Sequence, residues 1–167
     1  MKTREDLVRS AREYVGCSVR ETPETIRSFW KAVQDSRTDS VRAADNFWSW
    51  CAAFVSAMFA NIGEPFQHEH GGGIAFVPYL IEHARSVGAF RDPADFPAGP
   101  WYEPDPGDLI FFQENKSRPD HVGIVEEFDE YTRQITTIEG NLSGAVGRRT
   151  WNLGDGRIVG FGVFLNE

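Results

Sequence analysis

What is scarce in this sequence narrows it first. Only two cysteines occur, Cys17 and Cys51. They are too few for a disulfide scaffold and lack the C-x-x-C spacing of a zinc site. No stretch approaches the ~18 uninterrupted apolar residues of a membrane span, so membrane insertion is not expected. Basic runs are missing as well: 17 Lys and Arg stand against 25 Asp and Glu, a formal net charge of -8. That balance argues against a nucleic-acid partner, which needs clustered cations to neutralise phosphates, and against electrostatic capture by an anionic surface. The opening MKTREDLVRSAREYV mixes acids with bases and has no apolar h-region, so it reads as a first helix and not as a signal peptide. On that reading the chain is made in the cytoplasm, and any export takes another route.

What is present describes a globular chain. A length of 167 residues, 41% hydrophobic and 13% aromatic, is about one domain's worth. It carries no internal repeat or low-complexity tract. Helical periodicity covers residues 4–17, about 22–36, 49–62 and 74–87. The third and fourth of these helices end at Gly63 and Gly88, which suit the left-handed turn after a helix. Residues 91–107, RDPADFPAGPWYEPDPG, hold five prolines and read as a surface connection. Beyond it the period becomes two, with strand patterns over 108–113, 121–129, 134–141, 145–152 and 158–165. Short turns between them predict antiparallel neighbours and a meander. The expectation is an α+β fold in one domain, with helices over residues 1–90, the connection over 91–107 and a sheet over 108–165.

Chemistry gathers around NFWSWCAAFVSAMFANIG, residues 46–63. Ser49 is a good N-cap, which would make Trp50 the first and Cys51 the second residue of an almost wholly apolar, buried helix. There the free N–H groups and the positive end of the helix dipole favour a thiolate. Free cysteine is also a common core residue, so Cys51 alone establishes nothing. A cysteine nucleophile needs an imidazole within reach and a third group to orient it. His68 and His70 fall in the flexible-looking loop QHEHGGG, and His83 lies on a polar helix side with Glu82 and Arg85, which makes all three surface residues by default. A metal site of His68, Glu69 and His70 would need further ligands, and no metal or cofactor is expected. His121 differs, because it opens a strand at the rim of the sheet. In QITTIEGN, side-chain alternation puts Ile135, Thr137, Glu139 and Asn141 on one face. Hairpin pairing then brings Glu139 or Asn141 beside His121.

The motifs WCAAFVSAMF, PGDLIFF, DHVGIVEEF, TIEGN and IVGFG, in that order from about residue 5 to 165, resemble the CHAP family, the cysteine, histidine-dependent amidohydrolases and peptidases of the NlpC/P60, papain-like group. The resemblance implies a papain-like fold and cleavage of amide bonds in bacterial peptidoglycan, by an N-acetylmuramoyl-L-alanine amidase or a stem or cross-bridge endopeptidase. It implies Cys51 as nucleophile, His121 as base, Glu139 as the group orienting the imidazole, and Asn141 as an accessory polar member. The Cys51 N–H would hold the oxyanion, with Asn46 or the Trp50 N–H as alternatives for a second donor. Trp50, Trp101 and Tyr102 are candidates for substrate binding, and Phe76 and Tyr79 for a groove wall. A monomer is expected, with a holin, a secretion system or an immunity protein as further partners. Two other classes remain: a papain-like toxin acting on protein by proteolysis or deamidation, and a catalytically silent binding domain.

Overall fold

A computed structural model describes residues 2–94 and 100–167. The helices come first: α1 (Arg4–Arg12), α2 (Pro23–Phe29), α3 (Ser40–Asp45), α4 (Cys51–Asn61) and α5 (Val77–Ser86), with a 3-10 turn at Trp30–Ala32 after α2. A capping box starts α1: Thr3 accepts from Asp6 N–H while the Asp6 carboxylate accepts from Thr3 N–H. Gly63 and Gly88 follow α4 and α5 at φ of 78° and 72°, as their helix-ending role requires.

Three helical readings change. The first helix stops at Arg12 instead of about residue 17, because the chain turns at Gly16 to pair with a sheet strand: Gly16 N–H donates to Val146 O and Val19 N–H to Gly144 O. That pairing satisfies backbone groups that a continued helix would have kept internal. The second pattern, about 22–36, ends in the 3-10 turn at Ala32. α3 is an addition to the sequence reading; it buries only Ala43 and so carries almost no apolar period.

The strands are β1 (Gln67–His68), β2 (Gly71–Gly72), β3 (Phe90–Arg91), β4 (Leu109–Phe112), β5 (His121–Asp129), β6 (Gln134–Leu142), β7 (Ala145–Asn152) and β8 (Ile158–Gly162). Six form one antiparallel sheet in the order β3-β8-β4-β5-β6-β7. β4 to β7 are the expected meander. The last strand departs from it, returning to pair with β4 instead of β7. All four residues of β4, LIFF, are buried, so this strand has to be central, and β8 supplies its second neighbour.

Apolar layers cover both faces of the sheet. On one, α4, buried continuously from Cys51 to Phe59, packs with Val122, Ile124 and Ile138. On the other lie Ile110, Phe112, Val125, Ile135, Trp151 and Phe161, with Tyr102 and Leu153 against them. Of the Pro-rich connection, residues 95–99 lie outside the described residues. Its flanks pair through a bridge between Ala94 and Trp101.

The QHEHGGG segment is a fixed hairpin, not a flexible loop. β1 and β2 pair with each other, and Gln34 N–H donates to Gly72 O while Ser36 N–H donates to His70 O. Gly73 sits at φ 68°, and a Cβ there would lie 2.0 Å from Ala32 O. Only glycine lets the two backbones approach this closely.

Candidate active site

The helix that carries Cys51 starts one residue later than the sequence suggests. Trp50, not Ser49, is the N-cap, so Cys51 is the first helical residue. The Trp50 ring is fully buried, 5.8 Å from the Phe29 ring, and its carbonyl accepts from Phe54 N–H. Core packing of the indole therefore positions the helix start, with no side-chain cap. Ser49 is left exposed on the lip of a cleft. The Cys51 N–H belongs to the first turn, whose N–H groups have no intrahelical acceptor.

His121 begins β5 opposite Phe112 of β4. The loop before it is drawn in by Asp120, whose carboxylate accepts from Glu114 N–H at 2.8 Å and Asn115 N–H at 2.7 Å. The pairing of Ile124 with Ile138 sets Gly123 beside Glu139, and a Cβ on Gly123 would stand 2.6 Å from Glu139 Cγ. With no side chain there, the glutamate extends along the sheet, and its Oε1 lies 2.6 Å from His121 Nε2. The other imidazole nitrogen is left free of Glu139, and Cys51 lies near enough to the ring to raise its pKa. The imidazole thus joins two layers: Cys51 belongs to α4 on one face, and Glu139 shares the opposite face with Trp151 and Ile135.

Glu139 is completely buried yet fully partnered. Thr137 Oγ1 and Trp151 Nε1 donate to Oε2, the latter at 3.1 Å, and Arg149 donates through Nε at 3.0 Å and Nη2 at 2.6 Å. Arg149 also holds both oxygens of Glu114 at 2.8 Å. Burial alone would raise the Glu139 pKa, but hydrogen bonds from His121, Arg149 and Thr137 overcome it and hold the group at about 2. For His121 burial pulls downward, and hydrogen bonds and charge from Cys51 and Glu139 outweigh it, raising the imidazole to about 10. The arrangement is a buried carboxylate facing an imidazolium, with the Cys51 sulfur near the ring.

The other candidate residues are dispersed. Asn141, the last residue but one of β6, has φ 61° and lines a cleft of about 530 Å³ together with His121, Ser49, Glu114 and Arg149. Asn46 spends its amide on Arg42 O at 2.8 Å. Trp50 is enclosed in the core, so its side chain cannot meet a substrate. Tyr102 packs on Phe161 behind the sheet and donates to Asp108 at 2.9 Å, and Trp101 lies near Gly154; neither lines the clefts around Cys51. Phe76 and Tyr79 do line a cleft that reaches Ser49. His68 and His83 are half-buried: His68 shares a hydrogen bond with Gly73 O at 2.9 Å, and His83 stacks on Phe164. Among the described residues no three His, Cys, Asp or Glu side chains cluster as metal ligands.

Sequence reasoning missed Arg149, Trp151 and Glu114. Alternation in β7 puts 149 and 151 on one face, and pairing of Thr137 with Arg149 puts that face beside Glu139. A signal therefore existed, but reading it requires the β6–β7 register.

A family model described as CHAP domain matches residues 43–141, more than half of the chain. That span holds Cys51, His121, Glu139 and Asn141 and stops before Arg149 and Trp151. Among solved structures the chain is similar to Ly7917 and to Ly7917 with the hydrolyzing product of MDP. Each comparison has 15% identity and a TM-score of 0.52, covering 96% of this chain and 61% or 62% of the other. The chain spans less than two thirds of the length of those structures, and the likeness is one of fold. No curated protein matches the chain.

Proposed function

This chain belongs to the CHAP domain family, and from that premise we propose that it is a cysteine-dependent peptidoglycan hydrolase that cleaves an amide bond through an acyl-enzyme. The observation that carries the reading is the single imidazole held by buried Glu139 at 2.6 Å through Nε2, with Cys51 near enough to raise the pKa of the same ring. That is the relation a nucleophile, a base and an orienting group require. A protein of similar fold with the hydrolyzing product of MDP supports a hydrolytic role on related material.

In this mechanism the Cys51 thiolate attacks the amide carbonyl carbon, and the Cys51 N–H at the start of α4 donates to the developing oxyanion. The His121 imidazolium gives its Cys51-side proton to the leaving nitrogen as the C–N bond breaks. Water then attacks the thioester, losing a proton to the same imidazole nitrogen, and the acyl group departs as a carboxylic acid. Glu139 keeps Nε2–H in place and stabilises the positive ring throughout. Asn141 forms part of the cleft wall next to His121.

The test is incubation of purified sacculi with wild-type protein and with Cys51→Ser, followed by mass spectrometry of the released fragments. Wild type is expected to generate new muramoyl or stem-peptide ends, and Cys51→Ser none. Absence of both kinds of end with wild type would reject peptidoglycan as the substrate and favour a protein substrate.

A further inference from the structure

A row of charged side chains of alternating sign starts at the imidazole. His121 Nε2 lies 2.6 Å from Glu139 Oε1, and Arg149 Nη2 donates to that same oxygen at 2.6 Å. Ring and guanidinium therefore compete for one atom. Arg149 Nη2 also donates to Glu114 Oε2 at 2.8 Å, and Nη1 donates to Glu114 Oε1 at 2.8 Å. One guanidinium is thus divided between two carboxylates, Glu139 in the core and Glu114 at the polar cleft.

The rest of the surroundings leave that division intact. Arg149 lies in β7 with its guanidinium carbon 4.4 Å from the Trp151 ring centroid and 5.7 Å from that of Phe112, and the two rings stack at 4.3 Å. Aromatic faces hold a guanidinium without neutralising it. Neighbouring charges are spent elsewhere. Asp120 accepts from the Glu114 and Asn115 N–H groups, and Arg157, 4.7 Å from the Trp151 ring, is paired with Asp155 at 2.8 Å. Cys51 approaches the imidazole from α4, and Lys116 lines the same cleft as Glu114.

The reaction asks two opposed things of the imidazole. It has to stay protonated beside the thiolate, and it has to give that proton to the leaving nitrogen. A carboxylate with its full charge on the ring would trap the proton there. A cation beside Glu139 weakens the hold, and an anion beside that cation restores part of it. Charge alone fixes the signs: taking away Arg149 tightens the grip of Glu139 on the ring, and taking away Glu114 leaves Arg149 to Glu139 alone and loosens it.

Resting on the reading of His121 as the acid and base of the reaction, we propose that Arg149 and Glu114 are positioning residues that tune the imidazole through Glu139. Arg149 draws on the carboxylate so that the ring can release its proton, and Glu114 limits that draw. Both act on His121 only through Glu139.

The test reads the imidazole itself. The His121 ring is titrated by NMR in Cys51→Ala, and His121→Gln in the same background assigns its resonances. Relative to that parent, adding Arg149→Met should raise the His121 midpoint by roughly one pH unit, and adding Glu114→Gln should lower it by roughly half a unit, as charges one and two contacts from Glu139 require. Thr137 and Trp151 still donate to Glu139 in each variant, which keeps the carboxylate ionised. Arg149→Lys retains the charge without the planar fork and should return the midpoint close to the parent. With Cys51 restored, the alkaline limb of fragment release should move in the same direction in each variant. Midpoints that shift the same way in Arg149→Met and Glu114→Gln, that stay at the parent value while Tm falls, or that agree in Arg149→Lys and Arg149→Met overturn the tuning role and reduce the pair to a structural clamp. Glu114→Gln, at the cleft surface, decides the sign by itself where Arg149→Met does not fold. The titration needs no substrate, so its result for the pair is independent of the peptidoglycan reading, which fails if wild type releases no fragment.

Discussion

Cys51 and the buried Glu139 carboxylate together set the state of the imidazole. The carboxylate is fully buried and survives ionised because His121, Arg149, Thr137 and Trp151 all donate to it. Replacing it with glutamine keeps the shape and one acceptor oxygen but removes the charge that, together with Cys51, raises His121 to about 10. In wild type, activity that depends on the imidazolium should persist through neutral pH and fall as the pH rises through about 10. In Glu139→Gln that alkaline limb should move to lower pH, and kcat/KM at neutral pH should drop by roughly 100-fold or more. A pH profile of fragment release measures both. An unshifted limb would show that the imidazole owes its proton to another group.

Among the elements, α4 carries Cys51, the proposed nucleophile, and the β1–β2 hairpin braces the segment that faces it. Ser56 on α4 donates to Ile74 O at 2.7 Å and accepts from Ile74 N–H at 2.8 Å, both inside the core. This ties α4 to the backbone just before Phe76. The hairpin in turn lies against residues 32–36 through three consecutive glycines that are not equivalent. Gly73 has φ 68° and a Cβ position 2.0 Å from Ala32 O, whereas a Cβ on Gly72 would meet Phe66 O at an ordinary 3.5 Å. Gly73→Ala should therefore cost ~3 kcal/mol or more and lower Tm by roughly 10 °C, while Gly72→Ala should stay within about 2 °C of wild type. Thermal unfolding of the two variants side by side checks this. Similar losses in both would mean that the hairpin is strained by helix or sheet propensity and not by close approach.

For the whole molecule, the His121–Glu139 pair links stability to pH. The Glu139 pKa is lowered from 4.5 to about 2, so its contribution is present above 4.5 and is lost as the pH falls through about 2. The His121 pKa is raised from 6.5 to about 10, so its contribution is complete below 6.5 and is lost as the pH rises through about 10. Asp108, raised by burial, and His83, lowered by burial, act in the opposite sense, so the pair is best isolated by difference. The Tm gap between wild type and Glu139→Gln should be widest between about pH 4.5 and 6.5 and narrow toward about pH 2 and about pH 10. A flat gap across that range would separate the pair from folding stability.

Local pattern determined much of this protein. The apolar run 51–62 determined a buried helix with Cys51 in its first turn, because every face of it needs a covering layer. Alternation determined β5, β6 and β7 nearly to the residue and put Thr137 and Glu139 on one face. Gly63 and Gly88 determined where two helices end. Tertiary structure decided what depends on contact between distant segments. It ended α1 early by pairing residues 16–19 with β7, and it placed β8 beside β4 because LIFF is buried on all sides. It made Trp50 the N-cap because the indole is fixed in the core, and it gave the imidazole to Glu139 over Asn141 because Gly123 leaves the lane open. Arg149, ten residues beyond Glu139, joined the site through strand register alone. A sequence states each strand's own period, but the register between strands is set only when the sheet forms, and the site's electrostatics follow from that register.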